Sequence, residues 1–186
     1  MHHLIRWSSL LALVVSGCTT GGPDSGGLPP APSCEGMEPL ELGRCIDTIT
    51  GEDCTGQLDE EPRFESLMDG GPLSLVTGPQ GSSMFVVAVR TEGIDGGNPD
   101  QPTGVNNPLV EITVVDGAGE SVAVLRRYSA FSPDPTRPGS LFNGGFFVVI
   151  DDLCRHGEEL TAVALLEDAN GDQRCGQLTF VADCGI

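Results

Sequence analysis

The strongest constraint on this chain is a succession of short, β-rich runs, parted at roughly ten-residue intervals by glycine, asparagine and aspartate. Phe64 to Leu67 and Leu73 to Val76 are apolar runs separated by Asp69-Gly70-Gly71. Met84 to Val89 (MFVVAV) is apolar at both alternating sets of positions, as a central strand covered on both faces would be. Val110, Ile112 and Val114 alternate with Glu111 and Thr113, the period-two signature of a half-buried strand. Asp116-Gly117-Ala118-Gly119 then turns the chain into Val122 to Tyr128, and Phe146 to Ile150 is another such run. Leu160 to Glu167 is rich in alanine and leucine, so helix competes there. Asn170-Gly171 decides for strand, because it is the strongest short hairpin signal and Leu178 to Val181 returns at the right distance. The expected fold is all-β, a single sandwich of roughly 7–9 strands.

Ahead of these runs, Met1 to Arg6 has one fixed charge, at Arg6, and Trp7 to Val15 is apolar. That run is far short of the roughly twenty residues a membrane-spanning helix needs. It suits the h-region of a cleaved leader, which runs about 7–15 residues and ends in small side chains. Val15-Ser16-Gly17-Cys18 resembles the lipobox of bacterial lipoproteins. The resemblance implies that residues 1–17 are a lipoprotein signal peptide and that Cys18 becomes the acylated first residue. The chain would then be exported and lipid-anchored to the cell envelope. Several acyl chains, at about 0.8 kcal/mol per buried methylene, hold a protein on a membrane almost permanently. Thr19 is not the aspartate of an inner-membrane retention signal, which implies the outer membrane in a Gram-negative host.

Thr19 to Ser33 (TTGGPDSGGLPPAPS) has no apolar period, so residues 18–33 read as the lipidated cysteine and a flexible linker. Fully extended, that linker reaches at most about 50 Å. Residues 34–186 are then one domain with one core. Cys34, Cys45, Cys54, Cys154, Cys175 and Cys184 fall in it, an even number that argues for disulfides in an exported chain. Cys45 and Cys54 bracket a Thr-Gly-Glu turn and could close a small loop. Cys154 and Cys184 would approach each other if the last two strands pair. Without a CxxC pair, and with His156 the one histidine beyond the leader, a zinc site is not indicated.

Every basic residue is arginine, which we read as coding bias of a GC-rich genome. Cleavage after Gly17 removes Arg6 and no acid, so the 27 acids of the chain face eight bases. Such a field repels nucleic acid and anionic headgroups, and no nucleic-acid partner is expected.

Strand order and length resemble the immunoglobulin-like and fibronectin III-like sandwiches of bacterial surfaces. A closer resemblance is to uncharacterised envelope lipoproteins of GC-rich Gram-negative bacteria. It is carried by Leu40-Glu41-Leu42-Gly43, Gly78-Pro79-Gln80-Gly81 and the Arg-x-x-Gly of Arg90 to Gly93. These likenesses imply a sandwich and no particular activity. The antibody-type buried tryptophan is missing, since the one Trp lies in the leader.

Asp168, Asn170 and Asp172 place three oxygen-bearing side chains at alternate positions, as hard-cation loops do, and are the candidate calcium ligands. An EF-hand would continue with glycine and glutamate where this chain has Gln173 and Thr179, so a plain hairpin turn is the competing reading. The long loop Asp95 to Pro108 could add Asp95 or Asp100, or could itself face a ligand. No catalytic residue is singled out. The chain lacks Gly-x-Ser-x-Gly and His-Glu-x-x-His. Gly70-Gly71, Gly96-Gly97 and Gly144-Gly145 read as turns or bulges. The leading expectation is therefore a non-enzymatic binding or structural module with no cofactor, held to a membrane and facing an envelope or extracellular ligand. The alternatives are a calcium-dependent adhesion or calcium-stabilised domain, and a carboxylate-based hydrolase.

Overall fold

The computed structural model describes residues 27–50, 52–54, 62–77, 82–150 and 155–184. Cys18 with its lipobox, Gly78 to Gly81 and Cys154 lie outside the described residues.

All regular structure among the described residues is strand. The elements are β1 (Glu38–Pro39), β2 (Glu41–Asp47), β3 (Pro62–Ser66), β4 (Gly71–Thr77), β5 (Ser83–Glu92), β6 (Leu109–Val115), β7 (Ser121–Tyr128), β8 (Ser132–Pro133), β9 (Ser140–Ile150), β10 (Glu159–Glu167) and β11 (Gln173–Asp183). One sheet runs β7–β6–β10–β11, with β1 and the start of β4 one after the other along the far edge of β11. In the other sheet, β5 takes β2 and the end of β4 on one edge and β9 on the other. β3 and β8 lie outermost.

The two sheets meet through their inward alternate positions. Val110, Ile112 and Val114 of β6 and Ala162, Ala164 and Leu166 of β10 share one core with Phe85, Val87 and Val89 of β5 and Phe146, Val148 and Ile150 of β9. Phe85 and Phe180 meet edge-on across the sheets, with ring centroids 4.7 Å apart. Burying each of these rings contributes about 1.5–3 kcal/mol. β10 stays a strand despite its alanines because both of its neighbours are strands, β11 pairing with Glu159 to Glu167 and β6 with Thr161 to Glu167.

At two places the chain passes from one sheet to the other without a loop between them. Gly71 to Ser74 run parallel to β11, and Leu75 to Thr77 run antiparallel to β5, so β4 belongs to both. β1 pairs with β11 and β2 with β5. The link between them, Leu40, donates its N–H to the Cys175 carbonyl at 3.0 Å. The backbone here comes so close that a Cβ on Gly176 would collide with the Leu40 carbonyl oxygen.

In β9, Asn143 stands opposite Val89 and Phe146 opposite Val87, so β9 holds one residue more than β5 over this span. That surplus is the Gly144-Gly145 bulge, and it reverses the facing of the strand. Phe142, before it, joins a small outer cluster with Cys45, Cys54, Phe64 and Ala88. Phe146, after it, is wholly buried in the main core. A Cβ on Gly144 would lie only 2.5 Å from Cys45, so the disulfide cluster needs a bare backbone there.

Cys45 is bonded to Cys54, across a turn in which Asp47 Oδ1 accepts the N–H groups of Ile49 and Thr50 at 2.7 and 3.2 Å. Cys34 is bonded to Cys175, which the sequence did not pair. Cys184 is also disulfide-bonded.

The stretch preceding β1 is fastened to the first sheet at two points. The Pro29 carbonyl accepts the hydroxyl of Ser121 at 2.6 Å, at the start of β7, and Cys34 is bonded to Cys175, near the start of β11. A chain joining those points spans β6 and β10. Between them lie Thr113 and Val163, 0% and 6% exposed although both alternate outward from the core positions of their strands.

Candidate functional site

On the outer face of the β5 sheet lies a groove of about 640 Å³, a size suited to a small ligand. The Cys45–Cys54 disulfide, Phe142 and the Gly144-Gly145 bulge are among its lining, with Pro62 and Arg63 of β3 and the Pro133, Pro135 and Thr136 segment. It exists because the bulge removes side chains where the disulfide packs, leaving bare backbone flanked by proline rings. Thr48, Ser132, Thr136 and Asn143 supply polar atoms, and Arg63 is the one charged side chain among the described lining residues. In so acidic a chain, a pocket with a cation and no carboxylate among those residues is set apart from the rest of the surface.

The proline segment is held by an ion network at the end of the sandwich where β2 begins and β5 ends. Asp134 Oδ1 accepts the Thr136 N–H at 2.8 Å and its hydroxyl at 2.6 Å, while Oδ2 faces Arg90 Nη1 at 3.3 Å. The Asp134 side chain is 0% exposed and that of Arg90 12%. Burial works to raise the Asp134 carboxyl. The two Thr136 bonds and then Arg90 more than reverse this, holding it below the ordinary aspartate range. Arg90 also pairs with Glu41 and stacks on the Phe64 ring, 4.1 Å from its centroid. Arg137 bridges Glu41 and Glu92. Desolvation would raise the Glu41 carboxyl, but Arg90 and Arg137 together bring it below the usual range. Glu41 and Arg90 belong to two of the sequence patterns quoted above, Leu-x-Leu-Gly and Arg-x-x-Gly, and the fold brings them into one ion pair.

At the same end, the long loop and the β10–β11 turn are joined through Asp168. Its Oδ2 accepts the Asp95 N–H at 2.8 Å, and its Oδ1 those of Asn170 and Asp172 at 2.8 and 3.0 Å. Asp168 is 5% exposed. Burial pushes its carboxyl up and these backbone donors outweigh it, leaving the group lowered. The loop does neighbour the turn, as a shared cation site would require, but Asp95 contributes its backbone N–H and turns its own carboxylate to the Gly97 N–H. The loop is further set by Asn107, whose side chain bonds the Asn98 N–H and the Gln101 carbonyl at 2.7 and 2.6 Å. Among the described residues no group of three or more His, Cys, Asp or Glu is placed to hold a metal ion.

No family model matches the chain, and no curated protein matches it. Among solved structures it is similar to CopC from Methylosinus trichosporium OB3b, at 13% identity over 64% of this chain and 88% of that one. The TM-score is 0.31, too low to carry any argument about function.

His156 is exposed. Its Nδ1 accepts the Cys184 N–H at 3.3 Å and stands 3.6 Å from Asp183. The groove itself escaped sequence reasoning. Its signals were Gly144-Gly145, read only as a turn or bulge, and Pro133 and Pro135, which no apolar period singles out.

Proposed function

We propose that this chain is a lipid-anchored binding module of the cell envelope, fixed to a bilayer through Cys18 and holding its ligand in the groove over the Cys45–Cys54 disulfide. The observation that carries this reading is the groove's lining. It offers apolar rings, bare backbone, hydroxyls and one arginine among the described residues. Such a surface can seat a small apolar ligand and pair with an anionic group on it. Disulfides support an oxidising compartment outside the cytoplasm, as the lipobox resemblance requires.

The test pairs fractionation with a probe. The Cys18→Ser chain should leave the membrane fraction for the soluble one. An anionic aromatic dye such as anilinonaphthalene sulfonate, matched to Arg63 and the apolar floor, should bind the folded protein at one saturable site. Ser132→Trp, which fills the groove from its rim, should weaken that binding about tenfold. Dye binding that is absent, or unchanged by the substitution, removes the groove from the proposal. A Cys18→Ser chain that stays in the membrane removes the anchor.

A further inference from the structure

We infer that the stretch fastened across the β7–β6–β10–β11 sheet sets the orientation of the sandwich, directing its loop-bearing end away from the membrane. The inference rests on the lipid-anchored reading and goes beyond it, because an anchor alone leaves the domain free to turn. Two fastenings carry it, and they lie toward opposite ends of the sheet. The Pro29 carbonyl is held by Ser121, opposite Val115, at the end where β6 finishes and β7 begins. Cys34 is held by Cys175, next to Arg174, at the end where β11 begins.

The strand directions show which surfaces lie at each end. β6 starts, β7 finishes and β11 starts at the Cys175 end, so this end carries the 93–108 loop, the 129–139 segment, the Asp168 turn and the Arg90 ion network. The Pro29 end carries the β6–β7 turn, the start of β10 and the end of β11. With the strap in place, the first described fastening after Cys18 is at Pro29, and a chain of that length reaches at most about 36 Å from it at full extension. Without the Pro29–Ser121 bond, the next fastening is Cys34 on Cys175, at the other end. The chain would then leave from among the loops and draw that end toward the bilayer. The hold of Ser121 on Pro29 thus decides which end of the domain meets a partner. The surface offered outward includes the exposed Val105, the ion network and the groove wall formed by Pro133, Pro135 and Thr136.

The one tryptophan of the sequence lies in the leader, so single-tryptophan reporters can be placed in the processed chain. Ala118→Trp marks the β6–β7 turn and Val105→Trp the opposite loop, and both sites are exposed. β7 alone separates the two ends by about 23 Å. The full acylated chain is reconstituted in phosphatidylcholine vesicles with a trace of dansyl-labelled lipid, and energy transfer from tryptophan to dansyl is measured. Transfer from the A118W protein should exceed that from the V105W protein about fivefold. In a Ser121→Ala background, with folding confirmed by circular dichroism, that ratio should fall to about one or below. Equal transfer from both sites with Ser121 in place overturns the inference, as does a ratio that survives Ser121→Ala. Intact mass of the reconstituted chain tests the anchor separately, since a protein without acyl mass refutes the lipid reading and not the geometry of the strap.

Discussion

Replacing Arg90 by methionine should cost the folded state about 3.5–4 kcal/mol at neutral pH, chiefly because it strands the Asp134 carboxylate. That side chain is fully buried and its partner nearly so. Removing one member of such a pair costs about 3–5 kcal/mol. Asp134 keeps both bonds from Thr136, which places the loss at the low end of that range. The lost stacking on Phe64 adds about 0.5–1 kcal/mol, and the half-exposed Glu41 adds little, since solvent screens it. Asp134→Asn in the Arg90→Met background removes the stranded charge, so the double variant should be more stable than the sum of the single losses by about 2 kcal/mol. Urea unfolding followed by circular dichroism measures all three. The carboxyl is held low in the folded state. Its contribution is therefore fully present above the unfolded aspartate value of about 3.9 and disappears as pH falls through the lower folded value. The coupling should vanish over that acid window. Additive losses, or a single-variant cost under about 1 kcal/mol, would refute the idea that Arg90 holds the groove wall through a buried charge.

The two described disulfides should rank by the loops they close. On loop-closure entropy, replacing Cys34 and Cys175 by alanine should cost about 5 kcal/mol for a separation of 141 residues, and replacing Cys45 and Cys54 about 2.7 kcal/mol for a separation of 9. The reverse order in denaturant titrations would contradict that account. Gly176→Ala forces a methyl group into the Leu40 carbonyl and should cost at least about 2 kcal/mol. Gly117→Ala, with open space around it, should change stability by less than about 0.5 kcal/mol. Calcium would have to displace three backbone N–H partners from Asp168, so millimolar calcium should leave the melting temperature unchanged, and a reproducible rise would restore the cation site. The same carboxyl is lowered on folding, so its support of the long loop should persist above about pH 4 and fade as acid protonates it below, read as faster hydrogen exchange at the Asp95 amide.

The strands were legible wherever one period governed a run. Val110 to Val114 and Leu178 to Val181 are strands in the sheet, and the Asn170-Gly171 turn joins β10 to β11 as the hairpin signal requires. The sequence reading stopped at Phe146 because the bulge breaks the alternation, so Ser140 to Gly145 showed no single face although they continue β9. β1 and β8, at two residues each, are too short for any period to register. The stretch before Cys34 looked like free tether because it lacks apolar alternation. Its fastening comes from one carbonyl and one cysteine, neither of which leaves a pattern in composition. The groove was hidden for a related reason. Its floor joins residues from β2, β3 and β9 that only the folded register brings together.

The doubled glycine in β9 also fixes how this gene can change in length. Deleting either codon would swing Phe146, Val148 and Ile150 to the outside and bring Phe147 and Val149 in behind them. Point changes along the strand trade one side chain at a time, but a lost triplet would turn a whole row of them over at once. Length variation among descendants of this sequence is thus expected in the surface turn that leads into the strand and barred from its middle.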